Sequence, residues 1–298
     1  MVNLRTTDHN EGASLDALLP AEIARRAEAV GAAKVEMRFD RLAVLSVVAG
    51  AFIALGGVFS TVVTAGGGIA PGLARLLGGL VFSLGLILVV VAGAELFTGN
   101  TLGVIAAANR RVRLGALLRS WLIVYVGNFV GALATTLVVY WSGLYEGVGG
   151  TVGARALDIA VVKTSVGFRE AVFLGVLANA LVCLGVWLSL SARSVTDKIL
   201  AVAFPVTAFV AAGFEHSIAN MYFIPAGIFI KAWAPNTFWE TIGLTSVDVP
   251  TVTWQDFLVG NLLPVTIGNI VGGAVLVGLV YWFVYLRGSQ TGAAGAAS

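Results

Sequence analysis

Three ionisable residues, Glu95, Glu215 and His216, lie inside stretches that are otherwise apolar. A titrating group at membrane depth is costly, so each marks a candidate site. Both glutamates occupy the pattern G-x-E-x-x-x-x-N, in Gly93-Ala94-Glu95-Leu96-Phe97-Thr98-Gly99-Asn100 and in Gly213-Phe214-Glu215-His216-Ser217-Ile218-Ala219-Asn220. A carboxylate beside an interrupted helix can accept bonds from loose amides and hold the loop's shape, with Asn100 and Asn220 in the same structuring role. The other reading puts the glutamates in a transport path, although a route for anions should not present bare carboxylates. His216 is different in kind. It is the one histidine outside the N-terminal stretch, and imidazole switches charge or gives up a proton near neutral pH. Asn128 and Asn269, in Gly127-Asn128-Phe129-Val130-Gly131 and Gly268-Asn269-Ile270-Val271-Gly272, suit helix–helix bonding and pore lining equally well.

Those residues need a scaffold, and composition says which. Of 298 residues, 58% are hydrophobic and 11% charged, against roughly a quarter charged in a soluble domain. The mean hydropathy is +0.93. Too little polar surface remains to face water, so lipid is the solvent. The expected fold is an all-α membrane protein with six transmembrane helices, near 42–65, 73–94 (continued at 101–108), 116–142, 167–192, 199–230 and 257–286. The two polar patterns interrupt spans two and five. Span three carries Asn128 and span six carries Asn269, so the chain repeats itself after three spans. An odd number of crossings inverts the second half, giving an inverted repeat with two broken helices meeting near the midplane. Broken helices expose half-helix N-termini, whose free amides attract anions.

Basic residues set the expected orientation. Arg5, Arg25, Arg26, Lys34, Arg38 and Arg41 precede span one, Arg110, Arg111, Arg113 and Arg119 follow span two, Arg193 and Lys198 follow span four, and Arg287 follows span six. That bias predicts a multi-pass protein of the cytoplasmic (inner) membrane with both termini cytoplasmic. Residues 1–40 read as a cytoplasmic tail, 41–287 as the membrane domain and 288–298 as a flexible C-terminal tail. The 231–256 loop then falls outside, with Trp233, Trp239 and Trp254 as interfacial anchors. A net charge of +2 gives no support to nucleic-acid binding. One cysteine, Cys183, excludes an intramolecular disulfide, and the lack of a second membrane histidine argues against a metal or haem cofactor.

The runs Glu95-Leu96-Phe97-Thr98-Gly99-Asn100, Gly213 to Met221, Pro264-Val265-Thr266-Ile267-Gly268-Asn269, and Leu177-Ala178-Asn179 with Val182-Cys183-Leu184 resemble the formate/nitrite transporter family. The resemblance covers about 40–287. It implies an aquaporin-like six-helix protomer, a homopentamer, and one pore per protomer. By the same resemblance the first break is an Ω loop with Leu96, Phe97 and Thr98. Phe82, Leu86 and Phe209 would form a cytoplasmic constriction, and Phe97 with Val182 a periplasmic one. Lys163 would give the outer vestibule its positive potential, and Asn179 and Asn269 would be pore asparagines.

The implied function is passive or proton-linked passage of small monovalent anions, formate first, with nitrite or hydrosulfide as alternatives within the family. A bare anion in an apolar ring loses its hydration at large cost. Lys163, half-helix amides and Thr98 would draw it in, and His216 would hydrogen-bond it or supply a proton. Lys163→Ala is expected to weaken uptake while folding stays intact. A neutral-solute channel of aquaporin type shares the architecture, but the paired N-P-A loops are absent. An enzyme would need more than His216 beside Glu215, and no phosphate-binding G-x-x-x-x-G-K-[ST] loop supports ATP-driven pumping.

Overall fold

The computed structural model describes residues 17–287, and no strand occurs among them. The C-terminal segment read as a tail and residues 1–16 lie outside that range. The helices, in chain order, are α1 (Pro20–Val35), α2 (Phe39–Val63), α3 (Pro71–Gly93), α4 (Phe97–Ala108), α5 (Leu114–Trp141), α6 (Thr151–Thr164), α7 (Phe168–Ser191), α8 (Val195–Ala211), α9 (Ser217–Trp233), α10 (Asn236–Ile242) and α11 (Asp256–Tyr285).

Five of these, α2, α3, α5, α7 and α11, are long and apolar enough to cross a membrane. The fifth predicted span is no continuous helix. It is two 17-residue pieces, α8 and α9, on either side of the break at 212–216. The first break is placed differently: α3 runs 23 residues before it, and only the short α4 follows. Local signals fix the ends. Ser194 Oγ accepts from Asp197 N at 3.1 Å while Asp197 Oδ2 accepts from Ser194 N at 2.9 Å, a reciprocal cap that starts α8. Pro20 opens α1, and Glu22 reaches back to the Leu19 amide at 2.8 Å.

The two halves pack alike. α2 lies on α5 as α7 lies on α11, and glycine permits both contacts. A Cβ at Gly131 would stand 1.9 Å from Val47 O, and one at Gly272 would stand 2.1 Å from Val176 O. Neither can be anything larger. α1 packs on α4 through Ile23, Ala24, Ala27 and Gly31. α6 packs on α9, where Gly227 faces Ala160. Each half therefore has a helix lying against its broken segment, and the second part of the stretch read as an N-terminal tail is one of them.

Candidate functional site

Each break begins with a left-handed glycine, Gly93 at φ 87° and Gly213 at φ 77°, a conformation glycine adopts without penalty. Backbone groups freed there cannot be left bare in lipid. Asn128, from α5, accepts from Phe97 N at 2.9 Å and donates to Glu95 O at 2.9 Å and Ser46 O at 2.7 Å. Asn269, from α11, accepts from Ser217 N at 2.8 Å and donates to Glu215 O at 3.0 Å and Gly175 O at 2.8 Å. Both amide N–H groups of each asparagine are thus used on backbone, and both residues are fully buried. Asn179 is likewise engaged, with Asn269 O at 2.6 Å, Thr101 Oγ1 at 3.2 Å and Thr98 O at 3.3 Å.

The glutamates are not bare. Glu95 Oε2 meets Lys34 Nζ at 3.0 Å and accepts from Asn100 Nδ2 at 2.8 Å, while Lys34 also donates to Asn100 Oδ1. Glu215 Oε1 meets Lys163 Nζ at 3.0 Å, and its Oε2 accepts from Asn220 at 2.6 Å and Asn261 at 3.3 Å. Each Lys–Glu–Asn cluster ties a flanking helix, α1 or α6, to a break, and each neutralises a carboxylate that would otherwise repel an anion. Lys163 Nζ also stands 5.5 Å from the centre of the Phe223 ring.

Between the clusters the two breaks touch through side chains. Thr98 Oγ1 lies 2.9 Å from His216 Nε2. His216 is the N-terminal cap of α9, and its Nδ1 accepts from Ala219 N at 3.1 Å. A nitrogen that accepts carries no proton, so the neutral ring holds its proton on Nε2 and donates it to Thr98. The Thr98 hydroxyl then keeps its own proton for another acceptor. Thr98 O is fixed from behind by Thr101 Oγ1 at 2.6 Å, besides Asn179 and Cys183.

Apolar side chains fall into two groups. Phe209 stacks on His216 at 5.7 Å and meets Phe82 edge-on at 6.0 Å, and Phe82 stacks on Phe223 at 6.0 Å. That group sits with Lys163. Leu86 and Leu96 instead line a cavity of about 340 Å³ on the Lys34 side, whose wall also carries Arg26, Lys34, Lys198 and Trp121. Leu86 is one helical turn after Phe82, nearer the first break. Phe97 packs on Tyr125 and Trp121 at 4.9 and 6.2 Å, and Val182 is buried in the core. No cluster of three or more metal-ligating side chains occurs among the described residues.

A family model described as "Formate/nitrite transporter" matches residues 21–283. The chain belongs to the formate/nitrite transporter family. It is 48% identical over 273 residues to "Formate channel FocA" of Escherichia coli (strain K12), covering 91% of this chain and 96% of that one. It is 42% identical over 271 residues to the protein of that name from Haemophilus influenzae, covering 91% and 95%. Its fold matches the solved "Pentameric formate channel with formate bound" with a TM-score of 0.80 at 43% identity, over 84% of this chain and 98% of that one. Membership makes this a multi-pass membrane transporter and not an enzyme. The family match starts inside α1, earlier than the motifs that carry the resemblance.

Sequence reasoning missed Lys34, Asn261 and Tyr125 in this transporter. Lys34 had a signal. It stands five residues before Phe39, as Lys163 stands five before Phe168, and α2 begins at the one phenylalanine as α7 begins at the other. Asn261 and Tyr125 had none, because each meets residues far away in the chain, Asn261 within the second half and Tyr125 across the repeat.

Proposed function

We propose that the chain is a formate channel of the cytoplasmic membrane, a homopentamer with a pore through each protomer and both termini in the cytoplasm. One observation carries the pore: two donors, His216 Nε2–H and the Thr98 hydroxyl, come from opposite halves to a single point 2.9 Å apart. A carboxylate oxygen arriving there replaces their mutual bond with bonds to itself, which are about twice as strong when the acceptor is charged. Lys34 and Lys163 stand on either side. The Lys34-side cavity, with Arg26 and Lys198 in its wall, gathers anions before the Leu86–Leu96 barrier. Phe82, Phe209 and Phe223 form the barrier on the other side. Both are apolar enough to stop a hydrated ion.

The ring's tautomer sets a condition on proton transfer. Giving away the Nε2 proton from the neutral ring would leave an imidazolate. A second proton must first reach Nδ1, breaking its bond with Ala219. Nε2–H can then pass to formate, and the ring returns to neutrality as the Nδ1–H tautomer while formic acid crosses the phenylalanine group. The orientation rests on the arginine-rich ends near α1 and α5, and the pentamer and the substrate rest on the relatives.

Proteoliposome flux of formate, nitrite and hydrosulfide, measured side by side with an internal pH dye, tests the reading. Formate should cross fastest and bring about one proton each. A chain that passes nitrite well and formate poorly is a nitrite channel of the same family. A monomer or dimer by native mass spectrometry in mild detergent would contradict the pentamer.

A further inference from the structure

α5 turns three side chains toward the first break, at positions 121, 125 and 128. Asn128 holds the Phe97 amide, and Trp121 Nε1 donates to Asn100 O at 3.0 Å. Tyr125 presses its ring against Phe97, edge to face, at 4.9 Å. α11 has the same spacing at 262, 266 and 269, occupied by Leu262, Thr266 and Asn269. Only Asn269 repeats the grip. Tyr125 and Thr266, the middle residues of the two sets, instead meet each other across the repeat, with hydroxyls 2.8 Å apart. Thr266 Oγ1 already donates to Leu262 O at 2.7 Å, so it accepts here and Tyr125 donates. One turn before Thr266, Asn261 donates to Glu215 and to Lys163 O. A continuous line of contacts therefore runs from Phe97 through Tyr125 and α11 to the second break.

We propose that Tyr125 is a positioning residue of the pore: it fixes the first break against the opposite half and so sets the contact between Thr98 and His216. Thr98 directly follows Phe97, whose ring Tyr125 holds. His216 directly follows Glu215, which α11 holds through Asn261. Asn179 and Cys183 hold the Thr98 carbonyl across the repeat, but without the tyrosine hydroxyl the Phe97 ring beside it is held only by packing, and a misplaced donor pair is a weak one. The inference rests on the pore reading above.

A double-mutant cycle in proteoliposomes tests it. Tyr125→Phe keeps the ring against Phe97 and removes the hydroxyl. Maximal formate flux should fall about fivefold, the worth of roughly one neutral hydrogen bond. The half-saturating formate concentration should stay unchanged, since the entry cavity and the lysines are untouched. Thr266→Val removes the same bond from its other end and should give the same fall, with nothing more when both changes are combined. In a Thr98→Val background Tyr125→Phe should cost nothing further, because the pair it positions is already gone. Wild-type flux in Tyr125→Phe and Thr266→Val, or losses that multiply through with Thr98→Val, would overturn the assignment. Failure of the wild type to pass formate would instead sink the pore reading. Should Tyr125→Phe not assemble, the Thr266→Val arm carries the test alone.

Discussion

At the first break the residue after the glutamate is Leu96; at the second it is His216. Two places further on stand Thr98 and Ile218. Around these differing side chains the scaffolds are the same: a left-handed glycine, a glutamate paired with a lysine and an asparagine, and a second asparagine serving the freed backbone. The shared part answers a demand that falls on both breaks equally, since lipid supplies no partner for an open amide or carbonyl. The differing part answers a demand that falls once. A small anion needs one meeting point, and a donor from each half provides it, whereas two copies of the first break would set each threonine against a leucine and two copies of the second each histidine against an isoleucine.

The comparison breaks most sharply if the second break is made to copy the first. His216→Leu should lower formate flux on the order of a hundredfold, the scale of losing a preorganised donor in a dry site, with the oligomer intact by native mass spectrometry. Flux near wild type would make the histidine a mere helix cap. Next is the lysine pair. Lys163→Ala strands the buried Glu215, so the earlier expectation of intact folding no longer holds. Breaking a buried pair costs about 3–5 kcal/mol, and folded yield should collapse. Lys163→Ala with Glu215→Gln should recover yield while uptake stays weak. Lys34 is more exposed, its side chain 31% accessible against 15% for Lys163, so Lys34→Ala should lose less yield. Equal losses would show that the clusters are equivalent after all.

Thr98→Val tests the first break's contribution, and flux should fall about tenfold, the cost of one hydrogen bond to a charged group. The smallest effect should come from the glycines. Gly93→Ala and Gly213→Ala meet no atom within 4 Å, so only the left-handed backbone is strained, by about 1–2 kcal/mol each. Their thermal shifts should match, and unequal shifts would mean that one break is held more rigidly than the other.

Much of this was legible in the residues. The G-x-E-x-x-x-x-N runs located both breaks, because a glycine before a membrane carboxylate has few other uses. Glu95, Glu215, Asn100 and Asn220 were picked out by that pattern, and each lies in a cluster with a lysine at its break. Lys34 was hidden because a polar first stretch looks like a tail until the helix is seen lying on α4. Asn128 and Asn269 stayed ambiguous for a different reason: a glycine-flanked asparagine carries no mark of whether its amide faces backbone or pore. Which constriction residues share a wall was not legible, since Phe82 packs with Phe209 and Phe223 while Leu86, one turn on, lines the Lys34-side cavity.

The sequence alone determined the lipid environment, the inverted repeat, the two breaks and the histidine, since composition, periodicity and interrupted apolar runs are local properties of the chain. Tertiary structure decided which groups meet. Lys34 finds Glu95 only once α1 has packed on the first break, and Thr98 finds His216 and Tyr125 finds Thr266 only after the halves have packed together, because a hydrogen bond depends on position in space and these partners lie 61, 118 and 141 residues apart in the chain.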